Sequence, residues 1–132
     1  MSVKILSVAK QLPKHTRETK DIIPFVKLWM QGQETRFQRK VLKLFEGAGV
    51  DRRYSIMDAE EVFLNSSFED KNKIYVREVT TLAEQSLKKS LEKASLQPTD
   101  IDYIITVSCT GIMIPSVDAY LINSLQMRQD IV

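Results

Sequence analysis

The sequence predicts an α/β fold in which helices cover a mainly parallel sheet. The run at positions 3–13 opens with apolar, β-branched residues that fit a buried strand, and the continuous apolar run at 101–108 is typical of a central strand covered on both faces. Stretches between and after them repeat apolar residues at intervals of three and four, which indicates amphipathic helices. The resulting order of strand, helices, strand and helix is typical of layered α/β proteins. Because two strands do not make a stable sheet, we expect further strands from additional sequence or from a partner chain.

The composition is that of a one-domain globular protein, with 43% hydrophobic and 27% charged residues over 132 positions. Basic and acidic residues are interspersed and leave a net charge of +2, so no nucleic-acid partner is expected. No run of about 18 apolar residues and no targeting segment is visible, which predicts a cytoplasmic protein without a membrane partner. A single cysteine and a single histidine exclude an internal disulfide and argue against a metal site.

The first half of the chain predicts one strand and two helices. The strand ends at Pro13, and Thr16 is expected to cap the helix that follows. Pro24 must lie early in this helix or introduce a kink. A second helix, ending at Gly47 or Gly49, is predicted because four apolar residues follow the helical period. These residues are Phe37, Val41, Leu44 and Phe45. We expect positions 55–70 to be largely irregular.

The second half contains the longest predicted helix, over positions 74–95. Ser67 and Asp70 resemble a capping box at its start, and Glu84 precedes Lys88 at the spacing that favours an ion pair. Acidic residues lie near the start of the helix and lysines near its end, which complements the helix dipole.

The loop "CTGIMIPS" joins the strand predicted at 101–108 to a last helix, for which Ser116 is the expected cap. Functional residues of α/β proteins often lie at this edge of the sheet, so Cys109 is the first candidate. The pattern alone favours a buried, unreactive cysteine over a cavity-lining residue or a nucleophile. A nucleophile would need a base, and nothing in the sequence brings the sole histidine, His15, near it.

A second candidate is a series of basic residues that could bind a phosphate. Such series on amphipathic helices are more often solvated faces. The glycine spacings of phosphate-binding loops are absent, and the carboxylates have no spacing that indicates a glycosidase pair or a metal cage. The series consists of Arg36, Arg39, Lys40, Lys43, Arg52 and Arg53.

Two stretches, "VLKLFEGAGVDRRYSIMD" and "DIDYIITVSCTGIMIPSVDAYLI", resemble the amino-terminal part of type III polyketide synthases. This family is the chalcone-synthase-like branch of the thiolase fold, and the resemblance is nearest to its bacterial members. It implies that residues 1–132 are the amino-terminal fragment of a thiolase-like chalcone and stilbene synthase domain with an incomplete core. The family's enzymes are homodimeric acyltransferases that condense an acyl-CoA starter with malonyl-CoA by decarboxylation. No cofactor is implied beyond these substrates.

The resemblance also implies roles for particular residues. The family's catalytic Cys, His and Asn have no counterpart in these 132 residues, so no catalytic residue is assigned. Cys109 and Thr110 correspond to residues that line the starter-acyl cavity, and Ile114 to one that crosses the dimer interface toward the partner's cavity. Lys40 and Lys43 correspond to positions that contact the phosphates of CoA.

Three interpretations of the chain remain open from the sequence. Its end at "QDIV" is typical of the approach to another strand, and on the first interpretation the fragment alone is inactive and prone to associate. The second is a fragment of a ketoacyl-ACP synthase III relative, which would use an acyl-carrier protein. The third is a non-catalytic thiolase-like interaction module. A Gly-Cys motif in the coding DNA after codon 132 would support an enzyme, and a stop codon would support the module.

Overall fold

The computed structural model describes residues 2–65 and 67–131, the side chain of Asn65 excepted. The chain divides into two compact units. Leu12–Lys71 forms the hairpin unit, and the described residues before Leu12 and after Lys71 form the long-helix unit.

The hairpin unit is built on two short antiparallel strands, β1 (His15–Glu18) and β2 (Arg52–Ser55). Helix α1 (Thr19–Trp29) follows β1 without a loop. Thr19 fixes this junction, because its backbone N–H donates to the Asp51 carbonyl at 2.7 Å and its hydroxyl to the Val50 carbonyl. The unit also contains α2 (Thr35–Gly47) and a π-helical turn at Glu61–Asn65.

One face of α1 forms the core of the hairpin unit. Ile22, Val26 and Met30 recur every fourth residue and are buried together with Ala59. Pro24 lies inside the helix on its exposed side, where the N–H that it lacks would otherwise bind the Lys20 carbonyl. Side chains from α1, α2 and the π-helical turn complete the core: Phe25, Val41, Leu42, Phe45 and Phe63.

A bidentate ion pair joins β1 to the turn after β2. Arg17 Nε and Nη2 each donate to a carboxylate oxygen of Asp58 at 2.8 Å. The hydrogen bond from Arg17, followed by one from the Ala59 backbone N–H, lowers the pKa of Asp58 to about 2. The Arg17 guanidinium also stacks over the Phe25 ring, 5.5 Å from its centroid.

The long-helix unit packs α4 (Val117–Ser124) and the chain after it against α3 (Phe68–Ala94), whose first residues belong to the hairpin unit. Buried residues of α4 and the following turn form the core, with Val79, Ala83 and Leu87 of α3 packed against them. A 3-10 turn at Pro98–Asp100 follows α3. The buried core residues are Val117, Leu121, Leu125 and Met127.

The helices predicted from the sequence are confirmed, although the longest, predicted over positions 74–95, begins six residues earlier at Phe68. Ser67 accepts a hydrogen bond from the Asp70 backbone N–H at 3.1 Å, as the capping-box pattern predicts. The ion pair between Lys88 and Glu84 is formed, and Ser116 precedes the first residue of α4. The predicted cap at Thr16 is wrong, because Thr16 pairs with Tyr54 in β1 and the helix begins three residues later.

The two strands predicted at 3–13 and 101–108 are not formed. Among the described residues the one sheet is the β1–β2 hairpin, and the predicted parallel pairing is absent there. An extended apolar run becomes a strand only when a neighbour pairs with its backbone, and the described residues supply none. Side chains at the start of the chain bond to α3 instead, with the Ser7 hydroxyl donating to the Ser90 carbonyl at 2.8 Å.

Apolar side chains of both segments are therefore exposed. Val3 is 98% exposed, and in the second segment Tyr103, Ile105 and Val107 are 61%, 76% and 90% exposed. Single exposed apolar residues are normal on a protein surface, but two such rows are not. Within the described ranges, no helix combines the length and apolarity needed to cross a bilayer.

We expect the 132-residue chain to associate through these exposed rows. Its weight-average sedimentation coefficient should rise with protein concentration, and Ile105→Lys with Val107→Lys should reduce the rise. Leu44→Lys, at an exposed position of α2 outside these rows, serves as the control. A monomer whose sedimentation is independent of concentration would contradict this expectation.

The Arg17–Asp58 pair predicts an acid-sensitive hairpin unit. Because the pKa of Asp58 is lower in the folded chain than its usual 3.8, the ion pair stabilises the fold above about pH 4 and is lost as the pH falls toward about 2. Asp58→Asn should reduce the difference between the urea midpoints measured at about pH 6 and about pH 2. Asp51→Asn, at an exposed carboxylate beside β2, should retain the wild-type difference.

Candidate functional site

The loop between the apolar segment at 101–108 and α4 forms one wall of an open cavity of about 370 Å³. Cys109 and Thr110 line this cavity from the loop, and Tyr75, Val79 and Ala83 line it from α3. Cys109 is exposed, so the burial expected from the pattern alone is wrong. The reason is that, within the described ranges, no strand lies beside the segment that precedes Cys109.

A hydrogen bond joins the end of the apolar segment at 101–108 to α4. The Thr106 hydroxyl donates to an Asp118 carboxylate oxygen at 3.1 Å. Hydrogen bonds, first from the Ser116 side chain and then from the Asp118 and Ala119 backbone and the Thr106 hydroxyl, lower the pKa of Asp118. The carboxylate is therefore kept ionised at the start of α4, where the helix dipole also favours negative charge.

Ile114 does not line the cavity that Cys109 and Thr110 form. Its side chain is 91% exposed, and a cis peptide bond joins it to Pro115. The role across a dimer interface that the family resemblance implies for Ile114 stays a prediction, as do the cavity roles of Cys109 and Thr110.

Helix α2 carries a stripe of positive charge on the face opposite the core. Lys40 and Lys43 lie one turn apart on this face and are exposed. Arg36 and Arg39, which the family resemblance had not included in the CoA site, share the same face because the four positions follow the i, i+3, i+4, i+7 spacing. We call these four residues the cation stripe. Neither lysine forms an ion pair within residues 2–65 or 67–131.

The remaining basic residues of the series belong to the hairpin. Arg52 pairs with Glu18 in the β1–β2 register. The Arg53 guanidinium lies over the Phe45 ring, 4.9 Å from its centroid, and donates to the Thr19 hydroxyl at 3.2 Å. Arg53 therefore links the hairpin to α2 and to the start of α1.

The described residues offer little support for other site chemistry. His15 lies in β1 and lines a cavity of about 190 Å³ in the hairpin unit, whereas the Cys109 cavity has no histidine in its lining. Within the part of the chain that the structure describes, no group of three His, Cys, Asp or Glu side chains could hold a metal ion.

Comparison with known proteins gives consistent results, although no protein-family model matches the chain. The 1,3,6,8-tetrahydroxynaphthalene synthase of Streptomyces coelicolor is 43% identical over 84 residues, which are 64% of this chain and 22% of that enzyme. The phloroglucinol synthase of Pseudomonas fluorescens is 31% identical over 85 residues, again 64% of this chain and 24% of the relative.

Solved structures match nearly the whole chain. The crystal structure of the Streptomyces coelicolor tetrahydroxynaphthalene synthase, a bacterial type III polyketide synthase, matches with a TM-score of 0.78 and 30% identity over 94% of this chain. The type III domain of Steely1 from Dictyostelium matches with a TM-score of 0.76 at 22% identity, which bears on the fold alone. The chain spans 36% and 37% of these two structures.

Proposed function

The chain is related to the amino-terminal part of type III polyketide synthases, and from this premise we propose that it supplies an acyl-cavity wall and a CoA-binding surface to such an enzyme. The thiolase-like α/β class predicted from the sequence is confirmed by the same relationship. The proposed enzyme is an acyltransferase that condenses an acyl-CoA starter with malonyl-CoA by decarboxylative Claisen condensation. The main support is the match of 94% of the chain to a bacterial enzyme of this type.

The lining of the cavity suits a growing polyketide. Val79 and Ala83 offer apolar surface to methylene groups, and the Thr110 hydroxyl can donate to a carbonyl oxygen of the chain. Cys109 acts as part of this wall. A thiol nucleophile is usually activated by an adjacent base, and the cavity lining contains no histidine.

The cation stripe suits the phosphates of CoA. Lys40 and Lys43 offer two point charges on successive turns, and Arg36 and Arg39 extend the positive surface along α2. Because these side chains are exposed, their attraction for a polyanion weakens with rising salt. The stripe therefore contributes to substrate capture and takes no part in bond formation.

The remaining features of the proposed enzyme follow from the family. It is a cytoplasmic homodimer, in which Ile114 contributes to the partner's cavity, and it uses acyl-CoA and malonyl-CoA without a further cofactor. The family's nucleophilic Cys, with its His and Asn partners, has no counterpart among these 132 residues. We therefore expect no condensing activity from the 132-residue chain alone.

Charge reversal in the cation stripe tests the proposed CoA contact. In the full gene product, Lys40→Glu with Lys43→Glu should raise KM for malonyl-CoA about tenfold, equivalent to about 1.4 kcal/mol, and leave kcat nearly unchanged. The control is Lys14→Glu with Lys27→Glu, which changes the net charge equally at exposed positions outside the stripe. Equal effects in both double variants, or an unchanged KM in the first, would contradict the proposal.

A further inference from the structure

We infer that Asn72 and Tyr75 of α3 are positioning residues that fix the Cys109–Thr110 wall, and so determine which acyl chains the cavity accepts. The selectivity part of this inference rests on the proposed function. The positioning part rests on the contacts between α3 and the loop alone.

Asn72 holds the loop by two hydrogen bonds to one residue. Its Nδ2 donates to the Ile112 carbonyl at 3.0 Å, and its Oδ1 accepts from the Ile112 backbone N–H at 2.8 Å. The side-chain amide thus satisfies the backbone donor and acceptor that a neighbouring β-strand would otherwise satisfy. Among side chains of this size, only an amide can both donate and accept in this way, because a carboxylate has no donor.

Tyr75 holds the loop at two further points. Its hydroxyl donates to Ser108 Oγ at 2.5 Å, and its ring lies directly beneath Gly111. A Cβ on Gly111 would lie 2.3 Å from the ring atoms Cγ and Cδ1 of Tyr75. Tyr75 is only 6% exposed and has little space to move, so the close approach requires glycine at position 111.

These contacts hold the chain on both sides of the cavity wall. Ser108 is anchored immediately before Cys109, and Gly111 and Ile112 are anchored immediately after Thr110. The two wall residues are therefore held between fixed points, although their own side chains are exposed. Releasing the Asn72 anchor changes the width of the cavity without removing a group from its lining.

Asn72→Asp provides the sharpest test, because it keeps the size of the side chain and removes the donor to the Ile112 carbonyl. In the full gene product, iodoacetamide should alkylate Cys109 roughly three- to tenfold faster than in the wild type, as expected for the loss of one hydrogen bond. Peptide mass spectrometry separates Cys109 from any other cysteine. Asn123→Asp is the matched control, since the Asn123 amide bonds to the Ala119 carbonyl within α4.

Acyl selectivity is the second readout. In Asn72→Asp, the ratio of kcat/KM for a long-chain over a short-chain starter acyl-CoA should change by about threefold or more, whereas Asn123→Asp should keep the wild-type ratio. A substitution that only destabilised the fold would lower the activity toward all starters alike.

Gly111→Ala is an independent test, and combining it with Tyr75→Ala shows whether the two residues act through the same contact. Alone it should accelerate Cys109 alkylation, because the new methyl group displaces the loop from the Tyr75 ring. When combined with Tyr75→Ala, which removes the ring, it should add little to the effect of Tyr75→Ala alone. Additive effects of the two substitutions would overturn the role of this contact.

The inference would be overturned if Asn72→Asp kept both the wild-type rate of Cys109 alkylation and the wild-type ratio of kcat/KM for long-chain over short-chain starters. If the wild-type protein condensed no acyl-CoA, the proposed function would fail, and the alkylation rates alone would then decide whether Asn72 positions the loop.

Discussion

Contacts with α3 hold the long-helix unit together, because the described residues supply no neighbouring strand to either apolar segment of that unit. The face of α3 that carries Val79, Ala83 and Leu87 packs on the α4 core. Polar side chains of the same helix satisfy backbone groups that a sheet would otherwise satisfy, as Lys93 does for the Val8 carbonyl and Asn72 for Ile112. The position of the Cys109 loop therefore depends on α3.

Two surfaces connect this architecture to the proposed chemistry, one in each unit. The long-helix unit offers an apolar cavity with a thiol and a hydroxyl in its wall, and the hairpin unit offers a row of exposed cations. Under the proposed function, the first surface would contact an acyl chain and the second the phosphates of CoA. We propose that Cys109 stays outside the bond-forming step, because a thiol nucleophile is usually activated by an adjacent base and the cavity lining contains no histidine.

The helices could be predicted from the sequence because the signals for a helix are local. Each of these signals involves residues that are only three or four positions apart, as in the apolar spacing, the cap of Ser67 on Asp70 and the Glu84–Lys88 pair. A strand requires a pairing partner that is often distant in sequence. The apolar runs at 3–13 and 101–108 therefore predicted strands for which the described residues supply no partner. The strands that do form, HTRE and RRYS, have no apolar alternation and were missed.

The candidate site could be predicted only in part for the same reason. The loop motif drew attention to Cys109, but its exposure depends on which segments cover it. Arg36 and Arg39 already belong to the basic series that the sequence indicates, and their helical spacing places them on the same face as Lys40 and Lys43. The bonds from Asn72 to Ile112 span 40 positions and join a side chain to a backbone, which no local pattern indicates.

The most direct test of the central claim, that Cys109 forms part of the cavity wall and does not attack the thioester, is to map the acyl adduct. The full gene product would be incubated with a starter acyl-CoA, digested and analysed by mass spectrometry. We expect the acyl group on a cysteine outside these 132 residues, with Cys109 unmodified and acylation retained in Cys109→Ser. An acyl group on Cys109 that is lost in Cys109→Ser would contradict the account.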